Sequence, residues 1–176
     1  MTTPQGMTES ERRVVAVWAA DCAERVLPLF EAEAPDDGRA RDAINRARSF
    51  AQGDLMAAQE IRRRFVAGRA ARSATSPTGV AAARSAAQAA GVAHMGAHAL
   101  GAAAYAAKAA ELARPDDPRA RADEVQWQLA ALSPEAAAAL RGLPPVGEDT
   151  AGPLGPGLLA TGVLGEVIRA IQAHLH

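Results

Sequence analysis

Apolar residues recur three and four positions apart through most of this chain, the spacing that lines one face of an α-helix. The first stripe is Val14, Val15, Val17, Trp18, Cys22, Val26, Leu29 and Phe30, in a helix predicted from about Glu9 to Glu33. Thr8-Glu9-Ser10-Glu11 supplies a capping box at its start, and the polar stretch before it, Met1 to Met7, reads as a frayed end. Pro28 has no N–H to donate and should kink or interrupt this helix near Arg25. A second helix, Arg39 to Ala51, turns Ile44, Ala47 and Phe50 inward, with Asp36 or Asp37 as cap and Gly53 as stop. A third runs from Leu55 to Arg69 behind Asp54, with Leu55, Met56, Ile61 and Phe65 as its large apolar residues. Arg62, Arg63 and Arg64 fall in its C-terminal half, where the helix dipole favours cations.

Beyond the loop Ser73 to Thr78 the pattern changes. From Gly79 to Ala113 the chain is mostly Ala, without Pro, and Ala is the best helix former. A continuous helix of that length would span about 50 Å. Its surface carries few side chains, so neighbours can approach closely, and this element is placed at the centre of the fold. Gly91, Gly96 and Gly101 each cost about 1 kcal/mol relative to Ala, and one of them can divide the rod in two. A helix from Arg119 to Ala131 follows, then a short one opened by Ser133-Pro134 and closed by Gly142. Residues 143–156 hold four Pro and three Gly and form a loop before the last helix, Gly157 to Leu175. That helix carries Leu158, Leu159, Val163, Leu164, Val167, Ile168, Ile171 and Leu175, a face that must dock: on this bundle, on a partner, or on a second copy to form a homodimer. The fold class is all-α, one domain over residues 1–176, a bundle of about seven helices around the Ala-rich centre.

One turn occurs twice. Pro35-Asp36-Asp37-Gly38-Arg39-Ala40-Arg41 returns as Pro115-Asp116-Asp117-Pro118-Arg119-Ala120-Arg121, 80 residues on. Each copy follows a long helix and opens another, which fits a duplicated helical hairpin or the independent use of a good turn-and-cap sequence.

Composition narrows the function classes. Of the 49% apolar residues more than half are Ala, 46 in all, so the core is thin and closely packed. Nineteen basic residues balance 20 acidic ones, and no electrostatic drive towards nucleic acid or an anionic membrane follows. A lone Cys22 excludes a disulfide framework and fits a reducing, cytoplasmic setting; it lies on the first apolar stripe and reads as an inert buried thiol. No secretory signal and no membrane span is written in the chain.

The residues with chemical potential are few. His94 and His98, four apart, would share a helix face and could ligate one metal, but two ligands are too few, and the other histidines, His174 and His176, sit at the tail. Tyr105 and Lys108 continue the polar line, and Asp21 and Glu24 on the first helix are its natural acidic partners, either in a structural network or lining a pocket for a small molecule. There is no P-loop, nucleophile elbow, paired CxxC or dinucleotide fingerprint, which weighs against catalysis without excluding an enzyme or a small-molecule- or metal-binding bundle that uses His94 and His98; no cofactor is expected.

Four segments together carry a resemblance: Trp18 to Phe30; Pro35-Asp36-Asp37 through Arg41-Asp42-Ala43-Ile44; Ala93-His94-Met95-Gly96-Ala97-His98-Ala99 through Tyr105-Ala106; and Val125-Gln126-Trp127-Gln128. Over about residues 14 to 143 the chain resembles the Imm-five-like immunity proteins of bacterial polymorphic toxin systems, often carried by actinobacteria. The resemblance implies a small, cytosolic, all-helical protein that neutralises a cognate toxin by binding it, without catalysis. The partner-binding candidates are then Asp21, Glu24, His94, His98, Tyr105 and Lys108.

Overall fold

A computed structural model describes residues 3–176, the side chains of Ile61, Arg62, Arg63 and Arg64 excepted, and the described residues form eight α-helices and no strand. They are α1 (Glu9–Glu31), α2 (Arg39–Gln52), α3 (Ala57–Ala70), α4 (Pro77–Gly91), α5 (His98–Ala113), α6 (Ala120–Ala130), α7 (Pro134–Arg141) and α8 (Gly162–Leu175). The Arg62–Arg64 cluster lies outside the described side chains.

Local chemistry sets most of the ends. Thr8 and Glu11 close a reciprocal capping box on α1, Ser76 caps α4 ahead of Pro77, and Ser133 caps α7 ahead of Pro134. Gly53 ends α2 at φ 89°, a left-handed conformation that glycine adopts without a Cβ penalty. Asp37 does not cap α2 in the usual way: Gly38 is the N-cap, and Asp37 Oδ1 accepts from Arg39 N two residues on. Asp54 is no cap either, for α3 begins behind Met56 without any side-chain cap. Pro28 does not interrupt α1. The carbonyl it leaves without a helical donor belongs to Glu24, an exposed residue, so water can satisfy it.

The Ala-rich centre is two helices, not one. α4 and α5 run antiparallel: Ser85 Oγ donates to Ala102 O at 2.7 Å, and the ring of His98 meets Gln88 at 2.8 Å. The two lie so close that a Cβ on Gly101 would overlap the Gln88 amide. Between them, residues 92–97 form a tight turn that Gly91 and Gly96 permit. α5 is the interior rod: Ala99, Ala102, Ala103, Ala104, Ala106, Ala107 and Ala109 are all fully buried, on every side of the helix.

Residues 5–7 of the N-terminal segment, expected to fray, are buried. Gln5 is fully buried; its amide donates to Asp149 O at 2.6 Å and accepts from Leu154 N at 2.8 Å. The carbonyls of Gln5 and Gly6 accept from Ala97 N and Gly96 N, and thereby satisfy the start of α5, which has no side-chain cap. Met7 is buried against Gly96, where a Cβ would collide with it.

Three apolar assignments are corrected. Val17 on α1, Met56 and Phe65 at α3, and Leu158 before α8 are exposed. α3 turns Ala67 and Ala70 inward, together with Glu60, which takes a bidentate ion pair from Arg46 of α2. Against the Ala surface of α4 a small-residue face packs closest, and Met56 and Phe65 are left outside.

The doubled turn marks a doubled arrangement. In both copies the second Asp accepts from the backbone N–H of the following Arg, at 3.1 Å in Arg39 and 3.0 Å in Arg119. α1 packs on α2 and α4, and α2 on α4; α5 packs on α6 and α8, and α6 touches α8. The repeat thus spans four helices, α1–α4 and α5–α8, rather than a hairpin.

Candidate functional site

The six residues singled out do not converge. Asp21 and Glu24, expected beside the histidines, instead share Arg48 of α2, at 2.8 and 2.6 Å. All three reach solvent, an arrangement worth little in stability but able to present both signs of charge to a partner. His94 and His98 do not share a helix face: His94 is exposed in the α4–α5 turn, and His98 is the first residue of α5. Tyr105 is 4% exposed, and burial pushes its hydroxyl pKa up, so it is an interior residue. Lys108 is half-buried on α5.

His98 is held neutral. Its Nδ1 lies 2.8 Å from the Gln88 amide oxygen, which fixes that nitrogen as the N–H donor and leaves Nε2 as the acceptor. Burial, and secondarily the neighbouring His94, lower its pKa from 6.5 to about 4. On acidification the unfolded chain therefore takes up this proton before the folded one. The contribution is complete above pH 6.5 and drains away as pH falls towards 4, by at most ~3 kcal/mol. The expected result is a steeper loss of urea midpoint between pH 7 and 4 in the native chain than in His98→Asn. Equal slopes would contradict the buried, neutral imidazole.

Neither histidine completes a metal site. Among the described residues no group of three or more His, Cys, Asp or Glu is placed to hold an ion. Cys22 is fully buried; burial first, then the charges of Glu124 and Asp21, raises its pKa well above the ordinary thiol value, which suppresses the thiolate.

No spacing in the sequence signals the polar centre that ties α1 to α6. Arg25 reaches from α1 to Glu124, Nε to Oε1 at 2.8 Å and Nη2 to Oε2 at 3.0 Å, and its guanidinium stacks 3.9 Å above the Trp127 ring. Glu124 is buried and Arg25 is half-exposed. Two turns back along α1 and one turn on along α6, the Trp18 indole N–H donates to Gln128 O at 2.8 Å, and the Gln128 amide donates to Ala103 O at 3.0 Å. With the charged trio of Asp21, Glu24 and Arg48, these pairs tie α1 to α2 on one side and to α6 on the other. Arg, Asp and Glu are too common on helices for any spacing to announce such cross-helix pairs; Trp127 was visible only as an aromatic on α6.

Comparison with known proteins gives one match. A family model described as "Imm-5 like putative immunity protein" matches residues 5–135, most of the chain, from the buried Gln5 to the start of α7. No curated protein and no solved structure matches.

Proposed function

The chain belongs to the Imm-5 like immunity family, and we propose that it neutralises a cognate bacterial toxin by binding it directly, without chemistry of its own. The family match over residues 5–135 is the observation that carries this reading. The fold supports it: the ionisable groups are spent in cross-helix pairs such as Arg25–Glu124 and Arg46–Glu60, which stiffen a scaffold rather than converge on a substrate. Of the candidate partner residues, Asp21, Glu24 and His94 are accessible, whereas Tyr105 acts through the interior. No helix among the described residues is long and apolar enough to cross a membrane.

The test is co-production with the toxin encoded by the neighbouring gene. Cells carrying both are expected to grow, those carrying the toxin alone to arrest, and the two proteins to elute as one complex. Arrest in both cultures, with the proteins eluting separately, would overturn the reading.

A further inference from the structure

The two halves of the repeat differ in how one groove is filled. In the first half, α3 lies across the groove between α2 and α4 and packs on both. It fills that groove down to about 20 Å³, a remnant bordered by Asp42, Arg46 and Ala90 of the walls and by Glu60, Val66 and Ala67 of α3. In the second half the corresponding groove, between α6 and α8, is open, with a volume of about 760 Å³. Its walls include Ala122, Gln126 and Ala170, the positions 80 residues beyond Asp42, Arg46 and Ala90, so the two grooves are the same feature in the two halves. α7, which follows α6 as α3 follows α2, does not cover it; α7 packs on α1 and α8 instead.

We propose that the α6–α8 groove receives an amphipathic α-helix of the partner protein, seated as α3 is seated in the first half. This rests on the immunity reading for the identity of that partner. The molecule itself shows what shape such a groove takes: one helix, about as long as the 14 residues of α3. Its lining sets the chemistry. Val125, Leu129 and Val167 form an apolar floor and Ala122, Ala130 and Ala170 a low rim, which suits a stripe of Ala-, Val- and Leu-sized side chains at helical spacing. Where Arg46 demands a buried acid from α3, the matching wall position is the uncharged Gln126, so the incoming stripe carries none. Arg121 and Glu166, paired at 2.6 Å across the two helices, leave Glu166 largely exposed to a basic group on the helix flank. A second copy of the chain is a poorer occupant: two concave grooves set face to face add their empty volumes. α8 lies beyond residue 135, so one wall of the groove falls outside the family-matched segment.

Ala122 and Ala170 are exposed, and Arg is a good helix former, so Ala122→Arg and Ala170→Arg keep the fold. Each is expected to weaken binding of the neighbour-encoded toxin at least 100-fold, with the circular-dichroism spectrum and melting temperature little changed. Gln59→Arg, on the exposed face of α3, is expected to bind as the native chain does. Toxin bound equally by the native chain and both groove variants would overturn the groove proposal and leave the immunity reading standing. A native chain that binds no toxin would sink that reading, and the groove's partner with it. A dimer in solution that Ala170→Arg dissociates would show a second copy in the groove and overturn the proposal as well.

Discussion

Trp18→Ala is expected to cost about 4–5 kcal/mol, the largest effect of any single truncation in this chain. Trp18 is 2% exposed in a core whose other side chains are mostly methyl groups. Helices lined with Ala sit as close as their backbones allow, so they have little room to move into a hole, and a cavity that cannot collapse carries its full cost. The loss also strips the Gln128 backbone carbonyl of its donor, in a residue whose side-chain amide oxygen already lacks a partner. Trp18→Phe restores most of the volume but not the N–H, and should cost about 1–2 kcal/mol. Urea unfolding followed by circular dichroism measures both. A Trp18→Ala cost below about 1 kcal/mol would mean that the interior is looser than the fully buried alanines of α5 imply.

Which features could be read before the fold was known follows from how far each determinant acts along the chain. Thr8 with Glu11, Ser133 with Pro134 and Gly53 all act within a turn of the ends they set, and each stands where the sequence places it; Ser76 with Pro77 acts as locally, yet both fall in the stretch read as a loop before Gly79. The all-helical class follows from the Ala content in the same way. Which of its three glycines divides the Ala-rich stretch does not. It depends on Gly96 and Ala97 donating to the carbonyls of Gly6 and Gln5, some ninety residues away, and a polar N-terminal heptad gives no hint that it will be buried. The same holds for the six residues first grouped together. Their helical spacing on α5 is real for His98, Tyr105 and Lys108, but a shared face says nothing about which neighbour covers it. α4 covers His98 with Gln88, while Asp21 and Glu24 turn to Arg48 of α2. The repeated Pro-Asp-Asp turn was legible as a sequence, yet only the packing shows that it stands for four helices and that the second copy leaves a groove unfilled.

Arg25→Ala is expected to destabilise by about 3–4 kcal/mol, more than the mirror change Glu124→Ala. The asymmetry comes from burial. The Glu124 side chain is 5% exposed and that of Arg25 38%, so removing the arginine strands a carboxylate away from water, whereas removing the glutamate leaves a guanidinium that solvent still reaches. Arg25→Ala also gives up the stacking on Trp127, worth about 0.5–1 kcal/mol at a partly exposed site. If the stranded charge is the dominant cost, uncharging the partner should rescue the defect. The double variant Arg25→Met with Glu124→Leu keeps the volumes and is expected to recover most of the lost stability. Denaturant midpoints of the two single variants and the double variant decide it. Equal costs for Arg25→Ala and Glu124→Ala, with no rescue in the double variant, would show that the pair contributes by packing alone and that α1 and α6 are joined by Trp18 and Gln128 instead.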